Sequence, residues 1–359
     1  MKKLGAVLLL VGLVLVAAGL VLMFVIVPGM KQFPADVDTT RTYDGHMDVL
    51  LDAQNMAFMA DLTVQLSRHI KTEETSDGVA LVLEEQQLAA GDQVLTQLVK
   101  RYAIDRKTME FASDYPAEWA DKEGFWERKG LVIGWPIDPE KRDYTGWSDD
   151  YRDTVTLKFE GEVEHERSGR TVYYYTASSE PRPIAPEAVE AMGLPPALTQ
   201  EQIGALVEGL DMNPMVARSL PLLMQQAEWP DPVPLVYTYE YVGEYWVDPV
   251  TGVLIDTHKV EARKVGFEQA LMESLAEKIA ALPFDVDPEM VSEFLPVPVF
   301  QLEYQQSDQS VQDAAKDADD AADKIDLFGT KIPVGLIVVG LLLTALGAVK
   351  AMKKDEAAA

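Results

Sequence analysis

The sequence has no cysteine among its 359 residues and only four histidines. A chain without cysteine forms no disulfide bonds and cannot use thiol chemistry. The histidines are scattered without an H-E-x-x-H pair, and G-x-S-x-G, P-loop and G-x-G-x-x-G motifs are absent. The D-x-[DN]-x-[DN]-G calcium loop is missing as well. These absences give no support for an enzyme, and we predict no catalytic residues, no cofactor and no metal site.

Basic residues are also scarce. The chain has 31 Lys and Arg against 59 Asp and Glu, which gives a net charge of −28. Between residues 28 and 331 the counts are 26 and 57, a net charge of −31. A domain this acidic is repelled by phosphate backbones, so nucleic acid is not expected as a partner.

Two long runs without any charged residue lie near the ends of the chain, 24 residues at Leu4–Val27 and 18 at Ile332–Val349. About 20 apolar residues in a helix cross the hydrocarbon core, so each run predicts a transmembrane helix. Lysines 2, 3, 350, 353 and 354 flank the runs. They predict a cell-membrane protein with two spans, both termini cytoplasmic and the main domain extracellular. A cleaved signal peptide is the alternative for the first run, but that run is longer than a typical h-region and no small-x-small site follows it.

Glycine recurs every seven residues inside both apolar runs. These glycines are Gly5, Gly12 and Gly19 in the first run, and Gly340 and Gly347 in the second. A stripe of small residues lets another helix approach closely, which predicts that the two spans pair as an antiparallel hairpin. The alternative is that glycine is simply frequent in membrane helices. Neither run contains an ionisable residue, which disfavours an ion path through the helices themselves.

The segment between the runs is rich in predicted β-strands. Thr72–Gly78 is predicted as an acidic break between two of them. The fold class we predict is α+β, a mainly antiparallel β exported domain with inserted helices, bracketed by an N-terminal and a C-terminal transmembrane helix. Alternating apolar and polar residues indicate the strands, which fall within 45–113 and at 155–163, 170–176, 234–246 and 297–304.

The pattern aromatic-x-[Ile/Val]-Asp-x-x-Thr occurs twice and predicts a tight turn each time. The first turn contains Asp105 and Thr108, and the second contains Asp248 and Thr251, followed by Gly252. An aspartate at the first turn position can accept hydrogen bonds from backbone amides two residues on, and glycine supplies a positive φ. Two ordinary hairpins with the same turn explain the repeat, and an internal duplication is the alternative.

Three further segments predict helices. Residues 181–231 form a helical insert, with a capping box at Thr199 and Gln202 and a second helix start at Asn213-Pro214. Residues 266–282 predict an amphipathic helix, and residues 308–326 predict an acidic, alanine-rich helix that we interpret as a solvated stalk. The insert either packs on the sheet or caps an apolar pocket. Its candidate ligand surface consists of Met192, Leu206, Met215, Leu222 and Met224.

Four short motifs stand out in this layout: Tyr-Ala-Ile-Asp-Arg-Lys-Thr108, Tyr-Trp-Val-Asp-Pro-Val-Thr-Gly252, the Leu302–Ser310 segment and Pro333-x-Gly335. With these motifs the chain resembles the PorA-type family of actinobacterial-like cell-envelope proteins, also called DUF3068. The resemblance covers most of the chain. It implies an envelope membrane protein without catalytic residues, and for some members it implies channel formation in the cell wall. The predicted organisation is 1–3 cytoplasmic, 4–27 transmembrane, 28–331 exported with insert 181–231 and stalk 308–328, 332–349 transmembrane and 350–359 cytoplasmic.

Three functions follow from the residues and the resemblance. The first is a non-enzymatic, porin-PorA-like envelope protein that serves passage or envelope organisation. A porin barrel needs no hydrophobic helices, so a channel here would require oligomers or a second membrane layer. The second is a protein that binds or transfers lipid or another hydrophobic ligand, with a layout like that of the class B scavenger receptors. The third is a structural, partner-binding membrane protein. The expected partners are the lipid bilayer, a lipid ligand or cell-wall components, and further copies in a homo-oligomer.

Overall fold

The computed structural model describes residues 2–52, 57–208, 222, 224–280 and 296–352. Within these residues, eleven strands form one antiparallel β-sheet. The strands are β1 Asp38–Asp52, β2 Ala57–Ser76, β3 Val79–Ala90, β4 Gln93–Asp105, β5 Tyr144–Ser148, β6 Asp153–His165, β7 Arg170–Pro183, β8 Ala197–Leu198, β9 Val233–Val247, β10 Leu254–Phe267 and β11 Val297–Gln306.

The sheet joins the two ends of the chain. Neighbouring strands follow the order β4-β3-β2-β1-β11-β10-β9-β7-β6-β5, and β8 pairs with β9. Most neighbours are consecutive in the chain, but β11 lies between β1 and β10. Strand β1 follows the first apolar helix and β11 precedes the last helices, and the start of β1 lies towards the end of β11 because the two are antiparallel. Both connections to the apolar helices therefore leave from the same region of the sheet.

The sheet curls until its two edges approach each other. Residues of β3 and β4, from one edge, share a buried cluster with residues of β5, β6 and β7, from the other. Isolated bridges across the gap between β4 and β5 join Ile104 to Phe111, Glu110 to Leu131, and Leu131 to Gly146. The sheet thus has an inward face, which we define as the side that carries this main hydrophobic cluster.

Helices occur at both ends of the chain and within the sheet connections. The continuous helical segments Lys3–Gly29 and Asp308–Met352 are long and apolar enough to cross a membrane. The helices are α1 Lys2–Val21, α2 Val27–Met30, α3 Pro186–Ala191, α4 Gln200–Glu208, α5 Gln269–Ala280, α6 Asp308–Asp326 and α7 Ile332–Met352, with π-helical turns at Leu22–Ile26 and Leu327–Lys331.

The predicted α+β class, the antiparallel sheet and the bracketing apolar helices are confirmed. Helix α4 begins with the predicted capping box, in which the Thr199 amide donates to Gln202 Oε1 at 2.9 Å and the Gln202 amide donates to Thr199 Oγ1 at 3.2 Å. The helix predicted from Asn213 falls mostly outside the described residues. Within its predicted span, the described residues 222 and 224–226 are helical.

Two predicted boundaries were wrong. Residues 72–78 do not form a break, because β2 continues to Ser76 and a bulge between Thr72 and Glu74 keeps it paired with β3. Only Asp77 and Gly78 form the turn. The helix predicted from Gly266 begins at Gln269, because β10 stays paired with β9 as far as Phe267.

Helix α6 is present where it was predicted, but the interpretation as a fully solvated stalk was wrong. Its residues Val311 and Ala318 are fully buried and share a cluster with Val172 and Ile255 of the sheet. Alanine side chains are short, so this side of the helix can approach the sheet closely, while its aspartates project outwards. One of them, Asp319, pairs with Arg170 Nη1. The helix is therefore packed against the sheet before it continues into α7.

Candidate functional site

Charged side chains of β10 point to the inward face. Lys259, Glu261 and Arg263 lie opposite Gly243, Tyr241 and Tyr239 of β9. Tyr239 and Tyr241 belong to the main hydrophobic cluster. Residues directly opposite each other in an antiparallel pair share one face of the sheet, so the charged side chains share it too.

These charges are held by short contacts. The Lys259 ammonium lies 2.9 Å from Glu261 Oε2, which also accepts a hydrogen bond from the Tyr239 hydroxyl at 2.5 Å. Arg263 donates to both carboxylate oxygens of Asp150, at 2.6 and 3.0 Å. A bidentate guanidinium–carboxylate pair is a strong, directional contact, so each charge on this part of the inward face has an opposite partner.

A second set of charges lies on β2, β3 and β4. The Arg68 guanidinium donates to Glu84 Oε1 at 2.5 Å, and the Tyr102 hydroxyl donates to the other oxygen, Oε2, at 2.6 Å. Lys100, opposite Glu84 in the register, places its ammonium 2.8 Å from Asp149 Oδ2. Tyr102 belongs to the main cluster, so this set also faces inward. We call Arg68, Glu84, Lys100, Lys259, Glu261 and Arg263 the ionic lining.

The ionic lining stays ionised despite its burial. Burial alone would raise the pKa of the Glu84 carboxyl, but Arg68 and Lys100 lower it to about 2. Burial would likewise raise the pKa of Glu261, but Lys259 and Arg263 lower it to about 2. Burial would lower the pKa of Lys259, yet Glu261 holds it well above its usual value. Opposite charges at short distance favour the charged forms, so the inward face carries paired full charges at neutral pH.

Histidines on the outward face contact carboxylates from neighbouring strands. The His69 ring nitrogens lie 2.8 Å from Asp38 Oδ1 and 3.0 Å from Glu85 Oε2. Those of His258 both lie 2.9 Å from a carboxylate oxygen, of Glu244 and of Glu303. Among the described residues, no group of three or more His, Asp or Glu is arranged to hold a metal ion.

The glycine stripes lie at the contact between α1 and α7. A Cβ on Gly12 would be 2.5 Å from the Gly340 carbonyl oxygen, and one on Gly347 would be 2.7 Å from the Gly5 carbonyl oxygen. A Cβ on Gly19 would be 2.8 Å from the Pro333 carbonyl oxygen. Real Cβ atoms do not approach backbone this closely, so the helices are in contact through their backbones at these glycines.

The two repeated turns have the same hydrogen bonds. Asp105 Oδ1 accepts from the Lys107 and Thr108 amides at 2.8 and 2.9 Å. Asp248 Oδ1 accepts from the Val250 and Thr251 amides at 3.0 and 2.9 Å. Gly252 has the positive φ of +71°, where Met109 takes φ +61° in the first turn. Asp248 has a further partner, since Arg170 Nη2 donates to its Oδ2 at 2.7 Å.

Of the five candidate ligand-surface residues, the structure describes the side chains of Met192, Leu222 and Met224. Met192 packs against the main hydrophobic cluster, and Met224 is fully buried. Leu222 is 57% exposed. Met215 lies outside the described residues, and Leu206 lies in α4. Within the described part of the insert, the two placed methionines therefore act as packing residues.

Sequence reasoning missed the ionic lining. A signal for it exists, because Tyr237, Tyr239 and Tyr241 alternate along β9 just as Lys259, Glu261 and Arg263 alternate along β10. The usual rule assigns such charges to the solvent side and valines to the core. Here the valines on the opposite side are exposed, 55% for Val242 and 43% for Val260. The alternating tyrosines therefore indicate which face of the sheet is buried.

A curled antiparallel sheet with a charged inward face, joined to a close-packed pair of apolar helices, defines a membrane protein with a β-rich domain. The comparisons with known proteins agree with this class. The model of the family described as porin PorA matches residues 4–349, and the chain therefore belongs to the porin PorA family. A porin PorA of Corynebacterium resistens is 23% identical over 418 residues, which cover 99% of this chain and 98% of the relative. Membership suggests a cell-envelope, porin-like protein and points to a non-enzymatic, channel-type role.

Proposed function

We propose that this protein is a non-enzymatic membrane protein of the cell envelope that passes small polar or charged solutes through the interior of its curled sheet. The helices α1 and α7 serve as its anchor in the lipid bilayer. Both termini lie in the cytoplasm and residues 28–331 lie outside the cell. The lysines beyond the two apolar runs support this orientation.

The ionic lining is the observation that carries this proposal. A route for polar solutes needs polar groups on its walls, as in porin lumens, whereas an ordinary core is apolar. The inward face supplies such groups on β2, β3, β4 and β10. The apolar runs of α1 and α7 contain no ionisable residue, so the helices are a poor route. Further copies of the chain would extend the route across the membrane as a homo-oligomer.

Conductance of the purified full-length protein in planar bilayers tests this function. We expect discrete conductance steps, and a Lys259→Met variant should shift the reversal potential in a salt gradient towards cation preference. The matched control is Lys264→Met on the same strand, because Lys264 faces outward and pairs with Glu240. A protein that gives no steps at any concentration, or an equal shift in both variants, would contradict passage through the sheet.

The orientation can be tested separately, because the chain has no natural cysteine. Single cysteines placed at Lys3 and at Asp92, in the exposed turn between β3 and β4, would be treated with a membrane-impermeant maleimide on intact cells. We expect labelling at position 92 only. Labelling at position 3 on intact cells would reverse the proposed orientation.

Binding or transfer of a hydrophobic ligand is the alternative function. Its remaining support is the exposed Leu222 and the apolar composition of residues 209–221. Native mass spectrometry of the full-length protein would then show lipid that stays bound after the detergent is removed. A structural role, with neither conductance nor bound lipid, is the third outcome of these two measurements.

A further inference from the structure

Lys259 has one glycine neighbour on the inward face. In the register, Lys259 lies opposite Gly243 of β9 on one side and Tyr304 of β11 on the other. Tyr304 in turn lies opposite Gly45 of β1. Glycine has no side chain, so larger side chains lie over these positions: a Cβ on Gly45 would be 3.0 Å from Tyr304 Cβ and 3.3 Å from Val64 Cγ2.

The Tyr245 phenol lies over Gly243 of the same strand. A Cβ on Gly243 would lie 2.6 Å from the Tyr245 hydroxyl, so the hydroxyl covers the glycine opposite Lys259. Burial raises the pKa of the Tyr245 hydroxyl, and the nearby Lys259 ammonium opposes this shift. Burial likewise raises the pKa of the Tyr304 hydroxyl, and Lys259 opposes that rise. Tyr304 lies directly opposite Lys259 and the Tyr245 hydroxyl covers the glycine on the other side, so both phenols flank the Lys259 side chain.

Two buried polar atoms beside Tyr245 have no hydrogen-bond partner among the described residues. They are Thr257 Oγ1 and Trp135 Nε1, and each of the two residues is 6% exposed. Thr257 lies opposite Tyr245 in the register, and the Trp135 ring centroid is 5.7 Å from that of Tyr245. Buried polar atoms nearly always have a partner, so each of these atoms is open to a group that is not part of the chain, either water or a bound ligand.

The Lys259 ammonium also has donor capacity left. It has three N–H groups, and its carboxylate partner is Glu261. Its side chain keeps 21% of its surface accessible although it points inward. Glu261 is in turn engaged by Tyr239 and flanked by Arg263. The ammonium and the indole N–H with unused capacity here can only donate, and the hydroxyls can donate as well, so an acceptor ligand would complete all of them.

We infer that the inward face between β9 and β11 binds a small carboxylate- or phosphate-bearing anion, held by Lys259, Thr257, Tyr245, Tyr304 and Trp135. Lys259 supplies the charge, and the hydroxyls and the indole supply directed hydrogen bonds. Binding at this site does not require that solutes pass through the sheet, so the inference goes beyond the proposed function. It adds a site and a ligand class.

Isothermal titration of the full-length protein in detergent, with inorganic phosphate and with acetate, tests this site at constant ionic strength set by chloride. We expect saturable binding of at least one of the two anions. Thr257→Val removes one hydroxyl at constant shape and should weaken binding about tenfold, the value of one hydrogen bond to a charged group. Lys259→Met should abolish binding, whereas Lys264→Met, on the outward side of the same strand, should leave it unchanged.

Each other outcome overturns the inference. If neither anion binds, water alone fills the space beside Thr257. If Lys264→Met weakens binding as much as Lys259→Met, the anions bind the surface without specificity. Should Lys259→Met fail to fold, Thr257→Val and Tyr304→Phe still decide the matter, because neither removes a charge. Wild-type affinity in both would exclude the site, even where the bilayer experiment shows conductance.

Discussion

The contacts inside the helical hairpin and the contacts inside the curled sheet are of opposite chemical kinds. Where α1 meets α7, backbone lies against backbone at glycines and no ionisable side chain takes part. Inside the sheet, the contacts include full charges such as Arg68–Glu84 and Lys259–Glu261. The surfaces are reversed as well, since apolar side chains of the hairpin are exposed, for example Phe24 at 70% and Leu10 at 64%.

This difference follows from what surrounds each part. In lipid, apolar side chains gain no hydrophobic free energy by clustering, so two membrane helices are held together by close backbone packing. In the sheet, water outside drives aromatic residues inward, and the charges buried with them stay stable only as pairs. If this contrast is correct, a substitution inside one part should have a large effect there and little effect on the other part.

The largest effect is expected inside the sheet. Glu261→Gln leaves the Lys259 ammonium buried without its carboxylate and should cost about 3–5 kcal/mol in the free energy of unfolding. Urea denaturation of the protein in detergent, followed by tryptophan fluorescence, measures this. The control is Glu240→Gln, whose outward pair with Lys264 is partly exposed. It should cost less than about 1 kcal/mol, and equal costs would remove the distinction between the two faces.

The next effect is expected in the hairpin. Gly12→Leu places side-chain atoms against the Gly340 backbone of α7 and should cost roughly 1–3 kcal/mol by overpacking. Unfolding in sodium dodecyl sulfate, followed by the helical circular dichroism signal, reports it. Gly335→Leu in α7 is the matched control, because a Cβ there meets no atom within 4 Å. If Gly12→Leu also lowered the urea stability of the sheet, the two parts would not be independent.

The sequence predicted the secondary-structure elements of this fold better than it predicted which face of the sheet is buried. The strands, the Thr199–Gln202 capping box and both aspartate turns depend on local residue patterns, which a sequence displays directly. The pairing of Arg68 with Glu84 depends on the register between β2 and β3, which residue order alone does not determine. The ionic lining was missed for this reason, together with the rule that charged residues of a strand face water.

The two aspartate turns refine the contrast between buried and exposed contacts. Asp248 is 2% exposed and also accepts from Arg170, whereas Asp105 is only half-buried and has backbone partners. Asp248→Ala should therefore cost about 2–3 kcal/mol and Asp105→Ala about 1 kcal/mol, because the first also removes one of the two carboxylate partners of Arg170. Chemical denaturation of the two variants compares them. Equal losses would mean that the turn hydrogen bonds alone set the cost.

The smallest effect is expected on the outward face and depends on pH. Hydrogen bonds that the His69 ring donates to Asp38 and Glu85 raise the pKa of His69. Burial would lower the pKa of His258, but the contacts with Glu244 and Glu303 raise it above its usual value. A histidine whose pKa is raised by folding adds stability that is complete below its unfolded pKa of about 6.5 and is lost as the pH rises through the folded value.

The melting temperature should therefore fall as the pH rises above about 6.5, and a His69→Gln, His258→Gln double variant should show a smaller fall. These contacts are partly exposed, so the difference should not exceed about 1 kcal/mol. The buried carboxylates of the ionic lining should contribute nothing to this slope, because Glu84 and Glu261 have pKa values of about 2 and Glu261 holds the pKa of Lys259 well above its usual value. An unchanged slope in the double variant would show that the histidine contacts are too well screened to matter.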